Sequence, residues 1–394
     1  MRFRFVLLLI GCMVLLPFES HAQDMEKKNR ARDLGIPFDG VPGKLNAITD
    51  VPGVLVGHTT LISGEGKLQV GKGPVRTGVT AVLPRGKDSM NDAVFAGWFS
   101  QNGNGEMTGT TWVEESGFLE GPVMITNTHS VGVVRDAVIQ WRVAHGHPDP
   151  TGFWWSLPVV AETWDGWLND INGFHVKPEH AFHAIDSAHG GAVEEGSVGG
   201  GTGMVCNGFK GGIGTASRKL EAKDGGYTVG VLVQCNYGSR QNLRVAGIPV
   251  GREISSEDPY AYQPSEISER GSIIVVVATD APILPHQLKR LARRVSLGLG
   301  RNGSISGDGS GDIFIAFSNA NPRADGGRSV VDLKFLPNDA LDPIFAATVQ
   351  ATEEAIINAM IAAPTMTGIE NHKVTGLPHD KLRDVLKKYN RLVP

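Results

Sequence analysis

The feature that most constrains this chain is an unbroken β-branched run, Ile273-Ile274-Val275-Val276-Val277, bracketed by Gly271-Ser272 before it and Asp280-Ala281-Pro282 after it. Such a run suits a strand buried on both faces, so it demands a sheet covered on each side. A chain of 394 residues is long enough to supply one. The polar, turn-rich segment 252–270 leads into the run, and the junction between them is Gly271-Ser272. Two readings of that junction compete. In one, Gly271 is a turn residue and Ser272 merely starts the strand. In the other, the Ser272 hydroxyl attacks the Gly271 carbonyl, the peptide bond breaks, and Ser272 becomes a new chain N-terminus. Its freed α-amine, with a pKa of about 7.7–8.0, then lies within reach of its own hydroxyl as a base. Glycine suits the position before such a nucleophile, because it has no Cβ to obstruct a tetrahedral intermediate and tolerates strained backbone angles. An exposed loop is also where a chain break is tolerated.

Elsewhere the pattern predicts strand, turn and strand over 45–61 around Pro52-Gly53, and further strands over 78–83, 95–99, 122–126, 157–161, 227–234 and 313–317. Helices are expected from residue 133 and over 178–189, 285–295, 339–362 and 380–391. Strands interspersed with helices imply an α/β fold of sheets covered by helices. The net charge of −4, without a basic block, argues against nucleic acid as a partner. The 51 glycines show no period and exclude collagen.

Residues 1–22 read as a signal peptide, with Arg2 and Arg4, the apolar stretch Phe5 to Phe18, and Ser20-His21-Ala22 as the cleavage site. The expected mature chain starts at Gln23 and is exported, to the periplasm in a Gram-negative source. Leu9-Ile10-Gly11-Cys12 resembles a lipoprotein box, but the apolar run continues through Leu16, which argues against lipidation, and no membrane partner is expected. Cys206 and Cys235 remain as an exported pair able to form one disulfide, although spacing alone does not bring them together.

Several residues carry candidate chemistry. Thr128-His129-Ser130-Val131-Gly132, between a strand and a helix, looks like a nucleophile elbow with Thr for the first Gly; alternatively Ser130 caps the helix. Glu162, at a strand end, is either a cleft carboxylate or a surface one. Asn236 is either a turn former or an amide presented to a developing oxyanion. Gly199 to Gly203 lacks the Lys-Ser/Thr of a phosphate loop, which argues against nucleotide binding, and no His spacing suggests a metal.

Five blocks in order carry a resemblance: Thr126-Asn127-Thr128-His129-Ser130-Val131-Gly132, Leu157-Pro158-Val159-Val160-Ala161-Glu162-Thr163, Gly199 to Gly203, Val233-Gln234-Cys235-Asn236-Tyr237-Gly238, and Gly271-Ser272 through Ala292. With them the chain resembles the self-processing serine aminopeptidases, which comprise the DmpA-type L-aminopeptidase D-amidase/esterases and the β-peptidyl aminopeptidases. The resemblance implies a four-layer αββα sandwich, like the Ntn hydrolases but with different connectivity. It implies one catalytic domain cut at Gly271-Ser272 into an α chain (23–271) and a β chain (272–394) that stay together. Ser272 would be the nucleophile, Asn236 an oxyanion donor, and Glu162 the carboxylate holding the substrate's free amine. Ser310 and Asp312 would hydrogen-bond the Ser272 amine and hydroxyl and tune proton transfer. Trp164 would line the substrate pocket where some members have Tyr, and Asp312 stands where others have Glu. Gly271 matches the amidase/esterase branch, whereas some β-peptidases have Asn there. The resemblance further implies a homo-oligomer, often a tetramer, with no metal or organic cofactor. Substrates would be short peptides, amides or esters, with β-amino acids and D-residues both open. The rivals are a Ser130 hydrolase and a secreted non-catalytic binding protein of the same fold. Ornithine-acylating relatives use a threonine nucleophile, unlike Ser272.

Overall fold

The run Ile273–Val277 is the middle of strand β11 (Ser272–Thr279), which is buried along its whole length. Ile273, Val275 and Val277 enter one apolar cluster, and Ile274, Val276 and Ala278 enter another. Alternate side chains thus face a helix layer and a second sheet, which is why no polar residue interrupts the strand. The computed structural model that shows this describes residues 29–87, 90–146, 151–152, 155–254, 259, 271–326 and 329–393.

Strand β11 is an inner member of a six-stranded sheet with the order β4 (Phe118–Leu119), β3 (Val94–Ser100), β12 (Ile313–Ser318), β11, β10 (Thr228–Asn236), β9 (Gly212–Lys219). The β11–β12 pair is parallel and its neighbours are antiparallel. The other sheet has the order β1 (Leu55–Ser63), β2 (Val75–Leu83), β5 (Val123–Asn127), β6 (Val159–Thr163), with a parallel β5–β6 pair. Each parallel pair needs a crossover. Helix α1 (Val131–His145) lies between β5 and β6, and α3 (Pro285–Arg301) between β11 and β12. Helices α1 and α2 (Pro178–Asp186) cover the outer face of the four-stranded sheet. Helices α3 and α4 (Asp342–Ile361) cover the outer face of the six-stranded one. The inner faces meet in a shared core of Val82, Ile125, Val159, Leu232, Ile274 and Ile315. The expected αββα sandwich is therefore present.

A short hairpin, β7 (Val205–Cys206) and β8 (Phe209–Lys210), lies against the end of β10. It brings Cys206 and Cys235, 29 residues apart in the chain, into a disulfide with Cα atoms 5.7 Å apart. Gly199–Gly201, weighed as a phosphate loop, is a buried 3₁₀ turn. Two of its N–H groups are already taken, Gly199 by the Thr60 hydroxyl and Gly200 by the Thr80 hydroxyl.

Some expectations need correction. The first strand predicted over 45–61 is absent: residues 48–50 form a 3₁₀ turn held by Asp50, whose carboxylate accepts the N–H groups of Leu45 and Ala47. A short acidic side chain bonded to its local backbone competes with strand pairing there. The last helix is His379–Lys388, and the strand expected over 227–234 runs on through Asn236. The signal peptide and most of the segment 252–270 lie outside the described residues.

Candidate active site

Asn236 ends β10, Ser272 begins β11, and the two are direct antiparallel partners. Alternation along their strands puts both side chains on the face shared with Leu232 and Ile274, which looks toward the other sheet. Gly271 has φ +83°, and a Cβ there would run into the Asn236 carbonyl oxygen. The residue before Ser272 is thus held in the left-handed region with no room for a side chain.

Ser272 is 5% exposed, and its Oγ accepts the Gly311 backbone N–H at 3.0 Å. Gly311 sits between Ser310 and Asp312, both fully buried, and the Ser310 hydroxyl donates to Asp312 Oδ1 at 2.6 Å. A second loop braces this one. Asn102 Oδ1 accepts the Asp312 N–H at 2.7 Å, Asn102 Nδ2 donates to the Gly307 carbonyl at 3.0 Å, and Asn104 Nδ2 donates to the Gly309 carbonyl at 2.9 Å. A Cβ on Gly311 would strike the Asn104 carbonyl, so the two loops approach as closely as backbones can.

The bracing loop continues into Glu106, whose N–H donates to Glu162 Oε1 at 3.0 Å, and the Thr128 hydroxyl donates to Glu162 Oε2 at 2.5 Å. Glu162 is only 3% exposed. Burial raises its pKa above the ordinary 4.5, against the pull of the Thr128 and Glu106 hydrogen bonds. Two bonds leave lone pairs free on a carboxylate. Asn236 is gripped at both ends: Oδ1 accepts the Val205 N–H at 2.8 Å, and Nδ2 donates to the Trp164 carbonyl at 2.9 Å. The second hydrogen of its NH₂ group is left for another acceptor.

These groups line one cleft of about 660 Å³, bordered by Gly271, Ser272, Asn236, Glu162, Thr128 and Glu106, with Trp164 and Trp167 on its walls. Trp164 is 43% exposed. Trp167 is held by stacking on His372, with ring centroids 4.1 Å apart. A slightly larger hollow, about 710 Å³ and lined by residues 361–365 and 376–381, contains none of these groups. A hydroxyl set beside a backbone N–H and a primary amide, with a buried carboxylate on the same cleft, is suited to acyl transfer from a substrate carrying a positive charge near its carbonyl.

The model of peptidase family S58 matches residues 46–374. The chain belongs to peptidase family S58. The β-peptidyl aminopeptidase BapA of Sphingosinicella microcystinivorans is 59% identical over 373 residues, spanning 92% of this chain and 93% of its own. BapA of Sphingosinicella xenopeptidilytica is 49% identical over 370 residues, spanning 91% of each chain. The solved L-aminopeptidase D-Ala-esterase/amidase of Ochrobactrum anthropi, described as a variant of the Ntn hydrolase fold, superposes with a TM-score of 0.85. It is 49% identical and covers 92% of this chain and 99% of its own. The resemblance read from the five sequence blocks holds, and the chain is an aminopeptidase of this family.

Within this S58 enzyme, Ser272, Asn236, Glu162, Trp164 and Gly271 share the cleft. Ser310 and Asp312 bond each other, and the backbone N–H between them reaches the Ser272 hydroxyl. Ser130 occupies the N-cap position of α1, is 2% exposed, and makes no side-chain capping bond. Asn127 caps the 3₁₀ turn before that helix, residues 128–130, its Oδ1 accepting the His129 N–H at 3.0 Å. Of the elbow-like motif, Thr128 lines the cleft. Sequence reasoning missed Thr128, Glu106, Trp167 and the Gly311 N–H. Only the Asn102-Gly103-Asn104-Gly105 loop, conspicuous by composition, signalled a backbone built for close approach.

The raised Glu162 pKa gives a pH test. Glu162 must be ionised to hold an ammonium, and a raised pKa means that charge is lost on acidification sooner than for an exposed glutamate. KM for an aminoacyl amide is therefore expected to rise as pH falls through a value above 4.5, separately from the fall in kcat that protonation of a Ser272 amine base would cause. Glu162→Gln should raise KM about 10- to 100-fold and remove that dependence. A KM that stays flat down to the ordinary glutamate range would place the ammonium elsewhere.

Proposed function

We propose that the precursor cleaves itself between Gly271 and Ser272, and that the cut enzyme hydrolyses N-terminal residues from short peptides, amides or esters, with β-amino acids as its first substrate class. The single observation that supports this best is Ser272 Oγ, at a strand start in the cleft, bonded to the Gly311 N–H and preceded by a left-handed glycine. In the first step Ser272 Oγ adds to the Gly271 carbonyl, and its proton passes to the departing nitrogen. An ester results, and water hydrolyses it to a Gly271 carboxylate and a free Ser272 amine. In turnover that amine takes the proton of its own hydroxyl as Oγ attacks the substrate carbonyl, then delivers it to the leaving amine. The Asn236 amide stabilises the oxyanion. Water then releases the acyl group and regenerates Ser272. Glu162 holds the substrate's terminal ammonium and so sets which bond reaches Ser272. The β-amino-acid preference is supported by the names of the Sphingosinicella relatives.

The enzyme is further proposed to be exported through its first 22 residues and to assemble as a homotetramer. A buried disulfide is in keeping with an oxidising compartment.

The deciding experiment is a denaturing gel of the purified protein followed by reading of the chain N-termini. Two chains are expected, the shorter beginning Ser-Ile-Ile-Val. A β-aminoacyl anilide should be hydrolysed and its N-acetylated form should not. One intact chain would remove the base from this mechanism, and turnover of the acetylated substrate would remove Glu162 from it.

A further inference from the structure

Lys210, the last residue of β8, is fully buried, a rare placement for lysine. Its Nζ donates to the carbonyls of Met204 and Gly211, each at 2.8 Å. The Met204 carbonyl belongs to the same peptide group as the Val205 N–H, and that N–H donates to Asn236 Oδ1 at 2.8 Å. One peptide group therefore links the lysine to the side chain proposed to stabilise the oxyanion. Drawing density toward a carbonyl oxygen strengthens the N–H at the other end of the same amide as a donor. A stronger Val205 N–H holds Asn236 Oδ1 inward, and the Asn236 NH₂ is then turned to the Trp164 carbonyl and the cleft. A flipped amide would set NH₂ against N–H.

We infer that Lys210 is a positioning residue for the oxyanion donor, acting through the Met204–Val205 peptide to keep the Asn236 NH₂ group directed at the nucleophile. The inference rests on the proposed role of Asn236. Burial lowers the Lys210 pKa to about 7, with the charge of Asp165 opposing the fall. Asp165 directly follows Trp164, and its own carboxyl is raised to about 7 by burial against hydrogen bonds from Thr77, Asn169 and Asn127. The neutral amine and the ammonium both carry hydrogens enough for the two carbonyls, so the grip on Met204 survives titration. An oxyanion exists only in the transition state, so a loosened donor lowers kcat rather than raising KM.

The test is steady-state kinetics of Lys210→Met in the processed enzyme with an aminoacyl anilide, beside Asn236→Ala and the double variant. Lys210→Gln, which keeps an uncharged donor, serves as a milder second variant. The expected result is a folded, cut Lys210→Met enzyme with kcat lowered about tenfold or more and KM within about twofold, and a smaller loss for Lys210→Gln. The double variant should be no slower than Asn236→Ala alone, because both act on one donor. Unchanged kcat in the folded variant, losses that multiply in the double variant, or failure of both Lys210 variants to fold would each overturn the inference. An active Ser272→Ala enzyme would overturn the parent reading instead, so the two failures are separable.

Discussion

Ser272→Ala is expected to remain one uncut chain and to lower turnover of an aminoacyl amide on the order of 10⁴-fold or more. The size follows from what a single atom does in the proposed mechanism. Ser272 Oγ is the nucleophile for the cut, and without the cut the α-amine that serves as base never forms. Alanine therefore removes nucleophile and base together, and adding an amine to the buffer should not rescue it. The substitution fits the site: the side chain is nearly buried, and its loss leaves only the Gly311 N–H without its acceptor. Folding should survive with the cleft intact, and tight binding of substrate without turnover would show it. Ser130→Ala is the control, since Ser130 sits buried at the head of α1 and is not among the residues lining the cleft. If Ser130→Ala abolished activity while Ser272→Ala kept it, the assignment would be reversed.

Gly271→Ala is expected to accumulate uncut precursor, with cleavage slowed about 10- to 100-fold, while each molecule that does cut turns over normally. The reason is local. Gly271 sits at φ +83°, where an L side chain costs about 1–2 kcal/mol. The new Cβ must also push away the Asn236 carbonyl, which belongs to the strand carrying the proposed oxyanion donor. Both penalties oppose the geometry that sets the Gly271 carbonyl before Ser272 Oγ, so the intact peptide relaxes away from it and the cut slows. After the cut, Gly271 is a free chain end and no longer bound to that geometry. A time course on denaturing gels, with activity expressed per mole of cut enzyme, separates the two stages. Normal cutting by Gly271→Ala would show that the left-handed geometry is not required, and lowered activity of the cut form would show that it matters after the cut.

The parts of this molecule legible in the sequence were those where a residue type has few other uses. A β-branched run without polar interruption admits little but a strand covered on both sides, and β11 is that strand. Asn236 and Glu162 stood at predicted strand ends, and strand ends facing one way make a cleft. Illegible were the contacts made by backbone. The Gly311 N–H leaves no trace in side-chain chemistry, and Ser310 and Asp312 on either side of it were legible only through the family resemblance. Ser130 does take the N-cap position of α1 but makes no capping bond, and the side-chain cap lies one turn earlier, where Asn127 heads the 3₁₀ turn 128–130. The cysteine pairing depended on where the β7–β8 hairpin folds back against β10, a long-range fact that spacing does not encode.

The strand order of the larger sheet bears on what happens in time. The two strands that follow the proposed cut, β11 and β12, are inner rungs, while β3, β4, β9 and β10 on either side of them all precede it. Neither product of the cut holds the complete six-stranded sheet. On the proposed mechanism the chain therefore folds first and cuts second, and the cut would discard the covalent connection that let it fold as one body. A cut enzyme that opens has to find its other half again by diffusion, at whatever concentration its surroundings provide. Its working life is then governed by how slowly it first opens, because the way back is no longer the way it came.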